Sequence, residues 1–218
     1  YLERKIALGY LEPYIFDTRI RGRVNASRAI TISDYSRRIA SEVNQTTWTL
    51  EQDISSHLLV TWDVLSVATL RDFEINSEDQ LSLMNIGSTA VTMDLDYRDH
   101  PFLPKSGTFT RLNLEYGSPA LMSSEGIEYL RTSASFTHYQ NMGLWDMVWA
   151  NMVRVGYLKN LSKDGAVPYD KKGFILGGQS SVRGFTPDEG FPNRYDFGAA
   201  YDLQRERYNL TTDATMQL

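Results

Sequence analysis

Three features of this 218-residue chain predict an all-β, antiparallel transmembrane β-barrel, or part of one. Segment after segment alternates apolar and polar residues with period two, and no stretch shows a convincing helical period. The segments run to roughly 9 to 15 residues, longer than the 5 or 6 usual in soluble sheets. Their ends gather aromatics (Tyr10, Tyr35, Trp48, Tyr97, Tyr116, Tyr139, Trp145 and Tyr157). Such rings suit a boundary where one end is apolar and the other wet. Long strands, apolar outside and polar inside, with aromatic rims, make a barrel wall.

Taken in order, Ile6, Leu8 and Tyr10 face one way and Ala7, Gly9 and Leu11 the other. Pro13, which cannot donate to a ladder, ends that strand within Glu12–Asp17. From Thr18, Ile20, Gly22, Val24 and Ala26 share one face against Arg19, Arg21, Arg23 and Asn25. Three arginines on one side exclude a dry core there. After a turn near Thr31–Asp34, Tyr35–Leu50 sets Ile39 and Val43 against Arg38, Glu42 and Asn44. Glu51–Ser56 is a turn. His57–Arg71 then aligns Leu58, Val60, Trp62 and Val64 against Thr61 and Asp63, and its phase blurs at Leu65-Ser66-Val67, as at a bulge.

Asp72–Asn85 reads as an acidic loop. Ser88–Arg98 is the cleanest strand, with Val91, Met93, Leu95 and Tyr97 against Thr92, Asp94, Asp96 and Arg98. Pro101, Pro104 and Gly107 form a turn, and Thr108–Tyr116 resumes with Leu112 and Leu114 against Arg111, Asn113 and Glu115. Gly117–Gly126 is a loop. Ile127–Gln140 sets Leu130, Ala134 and Phe136 against Arg131, Ser133, Ser135 and Thr137. Asn141–Gly143 is a tight turn, and Leu144–Tyr157 places Trp145, Met147, Trp149, Val153 and Val155 on one face. A long glycine-rich loop, about 158–194, precedes a last strand starting near Phe197. The strand count is about eight to nine.

Composition narrows the class. With no run of 18 apolar residues, a conventional membrane-spanning helix is excluded. The net charge of −5 argues against nucleic acid as the main partner. The absence of cysteine removes disulfides and thiol chemistry. Tyr1–Lys5 reads as the lead into a strand, which suggests a mature or excised piece. His57, His100 and His138 have no metal-ligand spacing, and Gly178–Val182 is not a nucleophile elbow, since its fifth residue is Val182. Asp94, Asp96 and Asp99 beside Arg98 read as a charged lumenal ladder rather than a calcium site. The Arg19, Arg21, Arg23 row reads the same way. The glycosylation-like triplets at Asn25, Asn44, Asn160 and Asn209 carry no weight in a bacterial barrel. No catalytic residues, metal or cofactor are expected, and the chain is not expected to be an enzyme.

Loop lengths orient the wall, because outer-membrane barrels have short periplasmic turns and long extracellular loops. Pro13–Asp17, Glu51–Ser56, Pro101–Gly107 and Asn141–Gly143 are then periplasmic, and 158–194 is extracellular. That last loop holds Gly177, Gly178, Val182, Arg183, Gly184 and Phe185. An arginine offers a fixed fork of donors and stays ionised, so one carboxylate on the wall could pin the loop. Asp94, Asp96 and Glu115 are the candidate lumenal carboxylates.

Two motifs here resemble the BamA/TamA superfamily of outer-membrane protein insertases. Val182-Arg183-Gly184-Phe185 is similar to that family's sixth-loop signature, and Asp96-Tyr97-Arg98-Asp99 with Pro104 and Gly107 is similar to a strand-and-turn three strands earlier. Gly9-Tyr10-Leu11-Glu12-Pro13-Tyr14 is a weaker match to a strand end of the same barrels. The resemblance implies that residues 1–218 are part of one 16-stranded barrel, from about the fourth strand to the start of the twelfth. It implies an outer-membrane location, in a Gram-negative-type or related organelle membrane. It also implies that the partner acid of Arg183 lies beyond Leu218. The implied partners are the bilayer, unfolded outer-membrane protein clients and accessory lipoprotein or periplasmic subunits. The implied function is folding and inserting such clients without chemical catalysis. The alternatives are a two-partner-type secretion pore of the same architecture and a soluble all-β binding module.

Overall fold

The computed structural model describes residues 4–34, 39–74, 80–143, 147–162, 174 and 215–217. They form nine strands: β1 (Arg4–Glu12), β2 (Ile20–Asp34), β3 (Ile39–Ser55), β4 (Leu58–Glu74), β5 (Gln80–Asp96), β6 (Gly107–Gly117), β7 (Tyr129–Asn141), β8 (Val148–Asn160) and β9 (Thr215–Gln217). All lie in one sheet, in chain order. Each pairs antiparallel with the next, from β1 with β2 to β8 with β9. The described sheet is open, a partial barrel.

The register carries the alternation from strand to strand. Asp94 pairs with Arg111, which pairs with Ser135; Ala90 pairs with Glu115, which pairs with Arg131. These polar residues share the concave side, where Gln45, Asp63, Ser88, Thr92, Asn113 and Ser133 line a trough of about 430 Å³ with Arg111, Glu115 and Arg131. The convex side leaves Trp62, Met93, Leu112, Leu114, Phe136, Trp149, Val153 and Val155 exposed. So large an apolar surface is tolerable only against another apolar phase. The blurred phase in β4 is a bulge: the register shifts between Asp63 and Ser66 against β5, and between Trp48 and Thr49 against β3. Beyond it Leu65 and Val67, not Val64, continue the convex face.

Three expected connections are shorter than the sequence suggests. β2 runs through Asp34, β3 through Ser55, and β4 and β5 extend to Glu74 and Gln80. Thus Thr31–Asp34 and most of Glu51–Ser56 and Asp72–Asn85 are strand. At about 3.3 Å per residue and about 45° tilt, a 17-residue strand rises about 40 Å, beyond the ~30 Å hydrocarbon core. In that overhang the polarity rule reverses. Arg28 and Glu42 pair at 2.9 Å on the convex side, and Asn44 donates to Glu42 at 2.9 Å. On the concave side Val43, Ala68, Leu70, Met84 and Ile86 gather with Ile127, Tyr129 and Leu158 into the apolar cluster of the sheet. Outside the bilayer water wets the outer surface, so the apolar residues turn inward.

β6 turns away at Gly117 and leaves the upper edge of β5 without a strand partner. The Gly117–Gly126 segment seals it. Ser118 donates its N–H to Gly87 O, Ser123 Oγ donates to Gly87 O and accepts from Gly87 N, and Ser124 bonds Asn85 through both N and Oγ. Serines thus substitute for a strand along the edge. Gly87 is needed because a Cβ there would lie 1.7 Å from Leu121 O.

Candidate functional site

The strand-and-turn motif closes the lower end of β5 and β6. The Asp96 carboxylate accepts from Arg98 Nε at 2.8 Å, Arg98 Nη2 at 2.6 Å and Arg98 N at 3.0 Å. Arg98 Nη1 donates to Pro101 O at 3.0 Å, and its guanidinium carbon lies 4.7 Å from the Phe109 ring centre. This is a charge-assisted fork, one carboxylate holding a planar cation over an aromatic face. Asp99 organises the turn itself, accepting from the N–H groups of His100 at 2.9 Å, Lys105 at 3.0 Å and Ser106 at 3.2 Å. Pro104 fixes φ just before the latter two. Gly107 ends the turn at φ +106°, with Tyr97 O and Arg98 Cα where a side chain would begin.

The Ser106 N–H holds the Asp99 carboxyl below its ordinary value of 3.8, against a smaller opposing effect of desolvation, and the Lys105 and His100 N–H groups add to the lowering. A folded value below the unfolded one supports the turn above about pH 4, and that support is lost as pH falls through the folded value. Amide protection factors at Lys105 and Ser106 are expected to hold at neutral pH and drop below the ordinary carboxylate range. Asp99→Asn is expected to abolish that step; an unchanged step would show that another group controls the turn.

The other candidate carboxylates meet partners on their own wall. Asp94 takes a two-pronged contact from Arg111, Nε at 2.6 Å and Nη2 at 2.7 Å. Arg21 and Arg23 are similarly met by Asp53 and Glu51 at 3.1 and 3.3 Å. Such half-exposed pairs contribute at most about 1 kcal/mol each, so they set register and charge balance more than stability. Glu115 differs, being buried. It accepts from Tyr129 Oη at 2.8 Å and lies 3.8 Å from Arg131. Asp63, unremarked as a site in the sequence, lines the same trough and accepts from Thr49 at 2.7 Å.

Two further residues gave no sequence signal. Phe174, in the long β8–β9 connection, packs on the apolar cluster and sits 4.6 Å from the Arg131 guanidinium carbon. It touches the backbone at Gly156, where a Cβ would come within 2.4 Å of its ring. Gly177, Gly178, Val182, Arg183, Gly184 and Phe185 lie outside the described residues, as does the expected strand start near Phe197. Of the weaker Gly9–Tyr14 match, Gly9 faces Asn25, whose Oδ1 would meet a Cβ at 2.8 Å. Tyr139 lies near the end of β7, as expected, and pairs there with Gly107 on the concave side.

A sequential antiparallel meander, ionic on its concave side and apolar on its convex side, with overhanging strands, is the wall of an outer-membrane-type β-barrel. The chain belongs to the Omp85 superfamily, whose domain matches residues 1–202. Among solved structures it is similar to BamA from Haemophilus ducreyi lacking POTRA domains 1–3, with a TM-score of 0.68 and 15% identity. That match covers 87% of this chain and 39% of the other, so the chain spans well under half the length of that structure. At this identity the likeness establishes the fold. No curated protein matches the sequence. The superfamily membership read from the sequence is therefore borne out.

Proposed function

We propose that residues 1–218 are part of the barrel domain of a larger outer-membrane protein that helps fold and insert other β-barrels, without chemical catalysis. The observation that carries this reading is the superfamily match across β1 to β8 of the nine-stranded barrel wall. The physical logic is strand pairing. In lipid every backbone group needs a partner, so a barrel edge can template an incoming strand. This chain supplies the rigid wall and the long connection carrying Arg183. Its partners are the bilayer, unfolded outer-membrane clients and accessory periplasmic or lipoprotein subunits.

Arg183 has the role of holding that connection to a carboxylate of the lumen. Asp94 and Asp96 each already hold an arginine of their own wall, which favours an acid outside this chain. In the full-length protein, Arg183→Ala is expected to lower the amount of folded outer-membrane barrels in cells several-fold while its own barrel still forms. Wild-type complementation together with wild-type protease resistance of the loop would sink the proposal. If a secreted soluble passenger is lost while resident barrels stay at normal levels, the protein is a secretion pore instead.

A further inference from the structure

We infer that Phe174 and Gly156 form a latch that fastens the β8–β9 connection to the inner wall and limits how far the arginine motif can travel. The inference rests on the barrel reading but not on client insertion. Three contacts converge on one side chain. The Phe174 ring lies against bare backbone at Gly156 of β8, a position where any side chain would displace it. The Arg131 guanidinium of β7 faces the ring at 4.6 Å, a cation–π distance. The ring also packs on the cluster built from Leu70, Ile86, Ile127, Tyr129 and Leu158.

Arg131 is itself held. It faces Glu115 at 3.8 Å, and Glu115 accepts from buried Tyr129 at 2.8 Å. The latch is therefore seated on three consecutive strands, β6, β7 and β8. Glycine at position 156 fits a socket, since glycine weakens a strand unless something approaches it closely. Gly156 alternates with Arg154 and Leu158 on the concave side, so the socket opens into the lumen.

Chain length turns the latch into a restraint. Arg183 follows Phe174 by nine residues, which span at most about 32 Å when fully extended. With Phe174 seated, the motif stays within that radius of the socket, comparable with the height of the wall. With Phe174 released, the nearest backbone anchor among the described residues is Leu161, whose N–H is bonded to Glu128 O, 22 residues from Arg183 and allowing about 79 Å. Phe174 is thus a positioning residue for the arginine motif.

The test uses the full-length protein in outer membranes, with Ser181→Cys as reporter beside the motif; the 218 residues hold no cysteine of their own. Labelling by a membrane-impermeant maleimide is expected to be slow. It should rise roughly ten- to a hundredfold in Phe174→Ala and Gly156→Val, the population change that loss of one buried phenyl group implies. The double variant should label no faster than either single one, since both break one contact. Heat-modifiable gel migration reports whether the barrel is intact. Gly156→Val can perturb the strand, so Phe174→Ala, which leaves the wall untouched, carries the decision. A benzoylphenylalanine at position 174 should cross-link within the chain to β7 or β8. An intact Phe174→Ala barrel with unchanged labelling, fast labelling before any change, or cross-links only elsewhere would overturn the latch. None of these readouts depends on client assembly, so failure of the latch and failure of the insertion reading are separable.

Discussion

Gly107→Val is expected to prevent formation of the β5–β6 hairpin and with it most of the folded barrel. Two independent costs coincide there. The backbone sits at φ +106°, where an L side chain is strained by about 1–3 kcal/mol. A Cβ would also lie 2.1 Å from Tyr97 O and 2.8 Å from Arg98 Cα, both backbone atoms that cannot rotate aside. Those atoms belong to the segment that Asp96, Arg98 and Asp99 hold in place, so relief would dismantle the clasp. Gly143 provides the comparison. It too has positive φ, +67°, but open space where a Cβ would go. Gly143→Ala is expected to cost about 1 kcal/mol, while Gly107→Val exceeds about 3 kcal/mol or does not refold. Urea titrations of the folded, heat-modifiable band check both. Equal midpoints for the two variants would show that the clash at Tyr97 is relieved at no cost.

Tyr129→Ala is expected to be the most damaging side-chain truncation in the wall. The residue is completely buried, and its ring fills the space over Gly117, where a Cβ would lie 2.2 Å from it. Removing it opens a cavity within the cluster of Leu70, Ile86, Ile127 and Leu158, which costs about 3–5 kcal/mol for an aromatic-to-alanine change. It also leaves the buried Glu115 without the 2.8 Å hydroxyl donor. Tyr129→Phe separates the two effects, keeping the packing and losing the hydrogen bond, for about 1–3 kcal/mol. The same urea midpoints decide. If Tyr129→Phe is as damaging as Tyr129→Ala, the hydrogen bond and not the packing dominates. If neither shifts the midpoint, the cluster does not stabilise the wall.

Much of the wall was legible because its cause is local. Successive side chains on a strand point to opposite faces, so Val91, Met93 and Leu95 had to part from Thr92, Asp94 and Asp96 wherever the strand lay. The same logic exposed the bulge: Leu65-Ser66-Val67 breaks the phase within a few residues, and the register shifts at that point. Gly107 and Asp99 were singled out as motif residues, though their reasons became visible only when Tyr97 O and the Lys105 and Ser106 amides were in place.

The overhang was misread for a physical reason. The acidic composition of Asp72–Asn85 and the polar run Glu51–Ser56 look like turns under a rule that expects apolar residues on one face of every strand. Beyond the hydrocarbon that rule lapses, because water covers the convex side and a strand there can carry Arg28 and Asn44 outward, both bonded to the buried Glu42. Likewise Asp94 and Asp96 looked available to a distant arginine. Their partners, Arg111 across a ladder and Arg98 two residues on, depend on register and rotamer.

Residue order alone determined that this chain is a series of long antiparallel strands with one apolar and one ionic face, because strand pleating converts sequence parity directly into side. It also carried the two short motifs whose resemblance pointed to the superfamily. Only the tertiary structure decided which carboxylate meets which cation, where the strands leave the membrane, how serines seal the edge of β5, and that Phe174 rests on Gly156. Those depend on contacts between residues far apart in the chain. No local period encodes them, and they exist only once neighbouring strands have locked their register.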